Sequence, residues 1–311
     1  MPILDIIVTH YNESVDVYRK FFEMLDLQRG IDFSDIHVIV VNDGEENFIP
    51  DEILSNRPYT IEQHCIQKAG ISAARNRGIE LATAEWISFS DCDDLYTTIY
   101  SLKLVLDVLK KRETSCNYDM FWTKFCAEDS DGNGGIKLIM RGLNLVFIHG
   151  KYYRRTFIVD NNITFPEELE FNEDSCFNAI ANTYWDYKRT AEIKATIPIY
   201  TWCYRPGSLT ATASNLDKAL RGSYDRNKIV CETFKRRMPY DRQCAMIARA
   251  VFDAYYILNV ADMTPARAEM LKDFKEWYKQ NKQYFWDCDK AYMREIKAFS
   301  AKQYKAGIME E

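Results

Sequence analysis

Short apolar runs alternate with amphipathic segments in the first part of the chain. Residues 3–8 and 36–41 are nearly continuous runs rich in β-branched residues, typical of strands that are buried on both faces of a parallel sheet. Between them, residues 14–27 carry apolar side chains at spacings of three and four, which predicts a helix. Ser14 or Asn12 can cap its first turn. These three segments together predict a strand–helix–strand unit.

The same alternation continues toward the middle of the chain. A strand is predicted at 59–66, a helix at 71–82 and a further strand at 86–89, which runs into the acidic residues 91–94. Repeated alternation of this kind predicts a doubly wound α/β sheet.

Beyond a helix predicted at 96–112 the pattern changes. Strands predicted at 118–127 and 135–140 flank the Gly-rich turn 131–135, which is typical of an antiparallel pair. The remaining elements predicted for this part are a short helix from Lys151, an extended segment at 163–166, a helix from about Asn172 and a strand at 197–204.

Helical periodicity takes over from about Ala213, which predicts two domains, residues 1–215 and 216–311. The charge changes in the same region, because residues 221–311 contain 18 Lys and Arg against 13 Asp and Glu. Aromatic residues are interleaved with these cations. Three interpretations stay open: a packed helical domain, which is favoured, a surface for anionic lipid or nucleic acid, and an oligomerisation arm.

Composition and charge narrow the function classes. The net charge of −6 over 311 residues argues against a generic nucleic-acid binder, so no nucleic-acid partner is expected. Nine scattered cysteines without a C-x-x-C pair suggest neither a disulfide framework nor a zinc site. No basic leader or long apolar run is present. We therefore expect a cytoplasmic protein, with peripheral binding at the inner membrane face if the basic C-terminal helices bind lipid.

Polar residues follow each strand of the predicted sheet. Ligands of open α/β sheets bind outside the carboxyl ends of the strands. The four loops concerned should therefore border one crevice; they are Thr9–Glu13, Asn42–Gly44, Gln67–Gly70 and Ser90–Asp94.

Asp91 and Asp93 are candidate ligands of a hard divalent cation. If the segment is still extended, an i, i+2 pair projects both carboxylates to one side. Mg²⁺ and Mn²⁺ favour such oxygen ligands and commonly bridge to substrate phosphates. The alternative is that Asp93 or Asp94 only caps the following helix.

Asp43 and Arg75 are further candidates in the same crevice. Asp43 can accept the N–H of a nucleobase, or it can form a local turn before Gly44, which is favoured when it is considered alone. Arg75 can donate charge-assisted bonds to phosphate or ribose oxygens. Small residues around Gly70 permit a close approach of the backbone.

Five motifs together resemble glycosyltransferase family 2, whose members are inverting enzymes of the GT-A fold. They are Thr9-His10-Tyr11-Asn12, Val41-Asn42-Asp43-Gly44, Gly70 through Gly78, Ser90-Asp91-Cys92-Asp93-Asp94 and Glu173-Asp174. The resemblance covers roughly residues 3–210 and implies a mixed α/β sheet flanked by helices, followed by a helical C-terminal domain.

The resemblance also implies a division of roles in the site. Asp93 would coordinate Mn²⁺ or Mg²⁺ together with Asp91, which also lies by the ribose or donor sugar. Asp174, or else Glu173, would be the base that takes the proton of the acceptor hydroxyl; the alternative is an acid favoured by the helix dipole. The remaining residues implied to bind the nucleotide or donor are Thr9, Tyr11, Asn12, Glu13, Asp43, Lys68, Gly70, Arg75, Cys92 and Arg205.

The segment Tyr204–Thr210 also resembles the pattern of the family. Its Arg205 either reaches the diphosphate or lies on the surface. Several family members use a downstream His as a metal ligand, and this chain has none after His149. Asp93, phosphate and water would then hold the metal, or another group substitutes.

The expected function is therefore metal-dependent, inverting sugar transfer from a nucleotide-diphosphate donor, most commonly a UDP-sugar, to a hydroxyl acceptor. By family analogy the acceptor is a glycan or lipid-linked glycan in capsule, lipopolysaccharide or exopolysaccharide synthesis. The alternatives are glycosylation of a protein or a modified DNA base, and a non-catalytic protein that binds nucleotide sugars.

Overall fold

The computed structural model describes ten segments of the chain, and its backbone forms two compact units, residues 1–211 and 212–311. The roles of the two domains inferred from sequence stay predictions. The described segments are residues 1–44, 46, 48–110, 118–133, 135–141, 146–184, 190–192, 198–205, 216–259 and 263–287. The last two residues of the helix predicted at 96–112 lie outside these segments. So do the first residue of the strand predicted at 197–204 and the motif residues 206–210.

The first unit begins with the alternation that the sequence predicts. Its elements are β1 Leu4–His10, α1 Val15–Asp26, β2 Ile36–Asp43, α2 Asp51–Leu54, β3 Thr60–Ile66, α3 Ile71–Leu81, β4 Trp86–Asp91, β5 Leu95–Tyr96 and α4 Ser101–Lys110. Strands β3, β2, β1 and β4 are parallel neighbours in that order. Ser14 occupies the N-cap of α1, but its side chain makes no capping hydrogen bond.

The rest of the unit mixes strand directions. Its elements are β6 Met120–Trp122, β7 Phe125–Ser130, β8 Ile136–Arg141, β9 Lys151–Arg154, α5 Arg155–Asp160, α6 Glu173–Thr183, β10 Thr190–Glu192 and β11 Tyr200–Trp202. A seven-stranded sheet has the order β10-β6-β9-β4-β1-β2-β3, in which β9 is antiparallel to both of its neighbours. A smaller sheet has the order β5-β11-β7-β8. This mixed sheet agrees with the α/β fold predicted from sequence.

Three local predictions are wrong. The helix predicted at 96–112 begins only at Ser101, and Tyr96 lies in strand β5. The strand predicted at 118–127 is two strands in different sheets, because the chain crosses from one sheet to the other at Thr123, whose N–H bonds to the carbonyl of Gly150 at 2.8 Å. The helix predicted from Lys151 is strand β9, and the helix begins only at Arg155. β9 pairs with β4 and β6 on its two sides, and its two Tyr residues are themselves favourable in strands. The predicted hairpin of β7 and β8 is confirmed.

The core lies between the larger sheet and its helices. Apolar side chains of β1 and β2 are fully buried and pack against the face of α1 that carries Phe21 and Phe22. On the other face, α3 comes so close to β1 that a Cβ on Gly78 would collide with Cγ2 of Ile7. Glycine is therefore required at this crossing for steric reasons.

The described part of the second unit consists of three helices, α7 Leu216–Arg237, α8 Tyr240–Asn259 and α9 Pro265–Trp286. The predicted helical character is confirmed over these residues. Thr264 caps α9 by accepting a bond from the Arg267 N–H at 3.2 Å. Buried side chains including Tyr224, Ile247 and Phe274 form its core. None of the described helices combines the length and apolar character needed to cross a membrane.

A buried carboxylate ties the beginning of the parallel sheet together. Asp5 accepts the N–H groups of Thr83 and Ala84 at 2.6 and 2.7 Å, and its other oxygen lies 3.0 Å from Nδ1 of His37. The bond to Asp5 raises the pKa of His37 above its ordinary value of 6.5, although burial opposes the shift. The protonated imidazole is therefore the form that stabilises this corner.

His37→Gln should remove a pH-dependent part of the stability. Because the pKa of His37 is raised on folding, its contribution is fully present below pH 6.5 and is lost as the pH rises through the folded pKa. Urea unfolding between pH 5.5 and 8.5 should show a smaller decline for the variant than for the wild type. His64→Gln, on the neighbouring strand, is the control. Identical pH slopes in wild type and His37→Gln would contradict the assignment.

Candidate active site

The carboxyl ends of the parallel strands meet as the sequence predicts. Thr9 of β1 lies beside Asp91 of β4 in the register, and His10 lies beside Asn42 of β2. The Thr9 hydroxyl donates to Oδ1 of Asp91 at 3.2 Å, and Nδ1 of His10 lies 2.9 Å from the Asn42 side-chain oxygen. Side chains from three strands therefore line one edge of the sheet.

The loop after β1 is held in a defined shape by Glu13. Its carboxylate accepts the Tyr11 N–H at 2.7 Å and the Cys92 thiol at 3.3 Å. Asn12, between Tyr11 and Glu13, has a φ of 62°, a left-handed conformation that Asn tolerates better than most residues. The loop is thereby fastened to the acidic segment across the crevice.

Tyr11 and Lys68 form one exposed side of the crevice. The Lys68 ammonium hydrogen-bonds to the Tyr11 hydroxyl and lies 4.4 Å from the centre of its ring. An aromatic ring beside a cation at the mouth of a site suits stacking against a planar group.

Asp43 hydrogen-bonds to the backbone of the loop that follows β3, an interaction that neither alternative from the sequence analysis described. Its carboxylate accepts the N–H groups of Ala69 at 2.7 Å and Gly70 at 3.0 Å. Gly70 has a φ of 94° and immediately precedes α3, so a side chain there would be strained. Asp43 therefore fixes the start of α3; its contact with a nucleobase stays a prediction.

Arg75 joins three elements at the centre of the site. Its Nη2 donates to Oδ1 of Asp91 at 3.0 Å and its Nη1 donates to Oε1 of Glu173 at 2.9 Å. The guanidinium lies 5.3 Å from the ring centre of Phe165. Burial pushes the pKa of Asp91 upward, but the charge of Arg75 and its bond hold it below the ordinary value. In this structure Arg75 binds carboxylates; its contact with a nucleotide stays a prediction.

The acidic motif does not continue as an extended segment. Strand β4 ends at Asp91, and a turn follows in which the Asp94 N–H bonds to the Asp91 carbonyl at 3.1 Å. Asp93 lies in this turn and is ion-paired with Arg205, which also lies 3.8 Å from Glu13. Burial, then the charge of Asp91, raises the pKa of Asp93 to about 7, although Arg205 opposes the shift. The assumed i, i+2 geometry is therefore wrong beyond Asp91.

Asp94 and His149 form a group with Asp91 that the sequence analysis missed. One ligand atom from each lies within 4.8 Å of the others, a group able to hold a metal ion. The Asp94 carboxylate accepts the Tyr200 hydroxyl and the Cys203 N–H, each at 2.9 Å. Its Oδ2 lies 3.7 Å from Nδ1 of His149.

His149 is suited to bind a cation as a neutral ring. Its imidazole stacks on Tyr200 with centres 5.1 Å apart, and its Nδ1 has no hydrogen-bond partner within the described part of the chain. Burial lowers the pKa of His149 to about 4, although the charge of Asp91 opposes the shift. Neutral imidazole and carboxylate oxygens are compatible ligands for Mn²⁺, so these residues fit the implied metal.

Asp174 and Glu173 open helix α6 but have different partners. Glu173 binds Arg75, whereas Asp174 accepts only a short-range bond from the Ser175 N–H, at 2.6 Å, among its described hydrogen bonds. Burial, then the charge of Glu173, raises the pKa of Asp174 to about 7. Within the described residues, Asp174 is therefore the predicted base that makes no ion pair, although the charges of Arg75 and Lys151 partly oppose the rise of its pKa.

The helix of Asp174 also anchors the segment that carries His149. One turn along α6, Asn178 donates to the carbonyls of Val146 and Phe147 at 3.2 and 3.1 Å. The buried ammonium of Lys151 bonds to the same Phe147 carbonyl. The base candidate and the imidazole are therefore positioned through one short segment.

Comparison with known proteins then decides the family. The family model described as "Glycosyl transferase family 2" matches residues 5–167, which is more than half of the chain. The chain belongs to glycosyltransferase family 2. It is 29% identical over 204 residues to EpsH of Bacillus subtilis (strain 168), a protein named as a glycosyltransferase, with 59% of this chain and 56% of EpsH covered. It is 28% identical over 205 residues to the uncharacterized glycosyltransferase YibD of Escherichia coli (strain K12), with 58% of each covered.

Solved structures share the fold of this glycosyltransferase. Staphylococcus aureus TarS 1–349, crystallised with UDP-GlcNAc, superposes with a TM-score of 0.68 at 18% identity, covering 89% of this chain and 81% of that one. The mannosyltransferase PcManGT from Pyrobaculum calidifontis, in complex with GDP-Man and Mn²⁺, gives 0.50 at 13% identity, covering 92% and 86%. At these identities the likeness shows the GT-A fold alone. The chain spans well under two thirds of the length of EpsH and YibD.

Arg75→Met should destabilise this glycosyltransferase strongly. It leaves two partly buried carboxylates, Asp91 and Glu173, without their shared cation, which typically costs about 3–5 kcal/mol. Adding Glu173→Gln should restore part of the loss, because one uncompensated charge is removed. Urea unfolding at pH 7 measures both variants.

Arg77→Met is the matched control for this prediction. It lies on the same helix, and its exposed pair with Glu80 at 2.7 Å is worth less than about 1 kcal/mol. Equal losses from Arg75→Met and Arg77→Met would show that the central ion-pair network does not stabilise the fold.

Proposed function

We propose that this family 2 glycosyltransferase catalyses inverting, metal-dependent transfer from a UDP-sugar to a hydroxyl of a glycan or lipid-linked glycan. The observation that carries the proposal is the arrangement around Arg75. It links Glu173, the neighbour of the candidate base Asp174, to Asp91 of the candidate metal group. The UDP and UDP-GlcNAc bound to TarS support the choice of nucleotide by analogy of fold.

Asp174 is the general base in this proposal. It takes the proton of the acceptor hydroxyl while that oxygen forms a bond to the anomeric carbon and the bond from this carbon to the diphosphate oxygen breaks. The electron pair leaves with the diphosphate. A carboxyl whose pKa is about 7 combines a useful ionised fraction with real basicity near neutral pH.

Asp91, Asp94 and His149 would hold Mn²⁺ or Mg²⁺. When bound, the ion supplies positive charge to the departing diphosphate. Asp93 is the other sequence-based ligand, and its partner Arg205 is the residue expected to reach the diphosphate. In this proposal Tyr11, with Lys68 beside it, stacks on the planar base of the donor.

Nucleotide binding is the first experiment for this proposal. Calorimetric titration with UDP, GDP and TDP, each with and without Mn²⁺, should give micromolar binding of UDP only when Mn²⁺ is present. Tight binding of GDP or TDP instead would move the donor to another nucleotide. Absence of binding under every condition would leave a protein of this family without a working donor site.

Asp174→Asn should lower turnover of the UDP-sugar by roughly 10²–10⁴-fold, because proton removal from the acceptor is lost. The Kd of UDP should stay unchanged. In the wild type, kcat/KM should rise with pH through about 7, since the base acts only when ionised. Release of UDP from the donor, followed between pH 5.5 and 8.5, measures the turnover of the variant and the pH profile of the wild type.

Asp160→Asn removes an exposed carboxylate at the end of α5 and should retain the wild-type rate and profile. Wild-type turnover in Asp174→Asn would assign the base elsewhere, with Glu173 as the next candidate.

His149→Gln and Asp93→Asn separate the two candidate metal groups. If His149 is a ligand, its replacement should weaken Mn²⁺ binding in the presence of UDP at least ~10-fold, as loss of groups in a metal site commonly does. Electron paramagnetic resonance of free Mn²⁺ measures the affinity. Loss in Asp93→Asn together with wild-type affinity in His149→Gln would favour the interpretation from sequence alone.

A further inference from the structure

Strand β8 exposes a stripe of large apolar side chains. Ile136, Leu138 and Met140 are 58, 64 and 52% exposed, and they alternate along one strand, so they share one face. We call these three residues the β8 stripe. Single exposed apolar residues are normal, whereas contiguous exposed apolar patches mark interaction surfaces, so these three neighbouring side chains are a candidate for such a surface.

The backbone of β8 is also open on one side. β8 is the last strand of its sheet, with β7 on one side and no strand paired to the other side within the residues that the structure describes. An open edge presents N–H and C=O groups that template another strand, and proteins usually protect such edges with charges or bulges. Here β8 carries Lys137 and Arg141 on one face and the β8 stripe on the other, so another strand can pair with it where those cations do not face like charges.

We propose that β8 pairs antiparallel with β8 of a second copy of this chain, with Leu138 opposite Leu138 of that copy. In a two-fold arrangement of this kind residues that face each other must share a face of the sheet, so only registers that keep the alternation are allowed. In the proposed register, Ile136 faces Met140 of the other copy. The two β8 stripes then form one continuous apolar band across the two paired strands, at the centre of a sheet of eight strands.

Charge selects this register over its neighbours. With Leu138 at the two-fold axis, Lys137 faces Ile139 of the other copy. Moving the axis to residue 137 places Lys137 opposite Lys137 of the other copy. Moving it to residue 139 places Lys137 opposite Arg141 of the other copy. Like charges directly opposite each other destabilise a strand pair. Of these three registers, only the one centred on Leu138 brings no like charges face to face, and it keeps all three residues of the β8 stripe paired.

The interface is small, which sets the expected affinity. Stable protein interfaces bury roughly 1,200–2,000 Å² in total, more than a pair of six-residue strands supplies. We therefore expect a reversible dimer whose population rises with concentration in the micromolar range. Sedimentation velocity of the full chain should show a shift from the 36.5 kDa monomer toward twice that mass.

Leu138→Lys is the variant that tests the surface. It places two ammonium groups face to face at the axis and should abolish the shift. Val159→Lys is the matched control, because Val159 is 48% exposed on α5 and lies outside the stripe. It should dimerise as the wild type does. Circular dichroism of each variant checks that the fold is retained.

Cysteine substitution tests the register itself. Leu138→Cys should cross-link to itself under mild oxidation, since facing Cβ atoms lie about 4.5–5.5 Å apart, close to disulfide geometry. Ile136→Cys should not cross-link to itself, because residue 136 of the other copy lies four residues further along the paired strand, roughly 13 Å away. The wild-type chain, which has an exposed Cys65, is the reference for background cross-linking.

Three outcomes would overturn the proposal. These are a wild-type chain that stays monomeric at every concentration, a dimer that survives Leu138→Lys, and cross-linking of Ile136→Cys equal to that of Leu138→Cys. Co-sedimentation of a monomeric wild type with phosphatidylglycerol vesicles, lost in Leu138→Lys, would likewise overturn it and assign the β8 stripe to a lipid surface.

Discussion

The guanidinium of Arg75, held between Asp91 and Glu173, is the interaction on which the rest of the site depends. It joins the ends of a strand and two helices, and Glu173 is 98 residues away in the chain. A buried cation is tolerated only when its partners are well placed, so each contact constrains the other. One side chain therefore sets the spacing between the candidate metal group and the candidate base.

Most of the first sheet could be predicted because its strands are apolar over their whole length. β1 and β2 carry that signal locally, and α1 between them carries a helical one. β9 could not be predicted in the same way. Its four residues form no apolar run, and the β4 and β6 strands that pair with them are far away in sequence. Local preference is weak evidence where pairing with distant strands decides the conformation.

The same distinction applies to the site. Asp43, Asp91 and Arg75 follow strands or begin a helix, so topology alone brings them to one crevice, as predicted. His149 comes two residues before β9, and because β9 runs antiparallel to β4, its start lies at the carboxyl end of β4. Asn178 and Lys151 also bond to the preceding carbonyls. Neither the direction of β9 nor these bonds can be read from spacing along the chain. The one usable signal was that it is the single His after the acidic motif.

The glycine at position 78 has a consequence for the reach of Arg75. Both residues lie on α3, one turn apart, and the absence of a side chain at Gly78 lets this helix settle directly onto Ile7 of β1. An arginine side chain has a limited reach, so the height of its helix above the sheet affects whether its two Nη atoms can meet both carboxylates. Gly78, which takes no part in the ion pairs, therefore influences the distance that the Arg75 side chain must bridge.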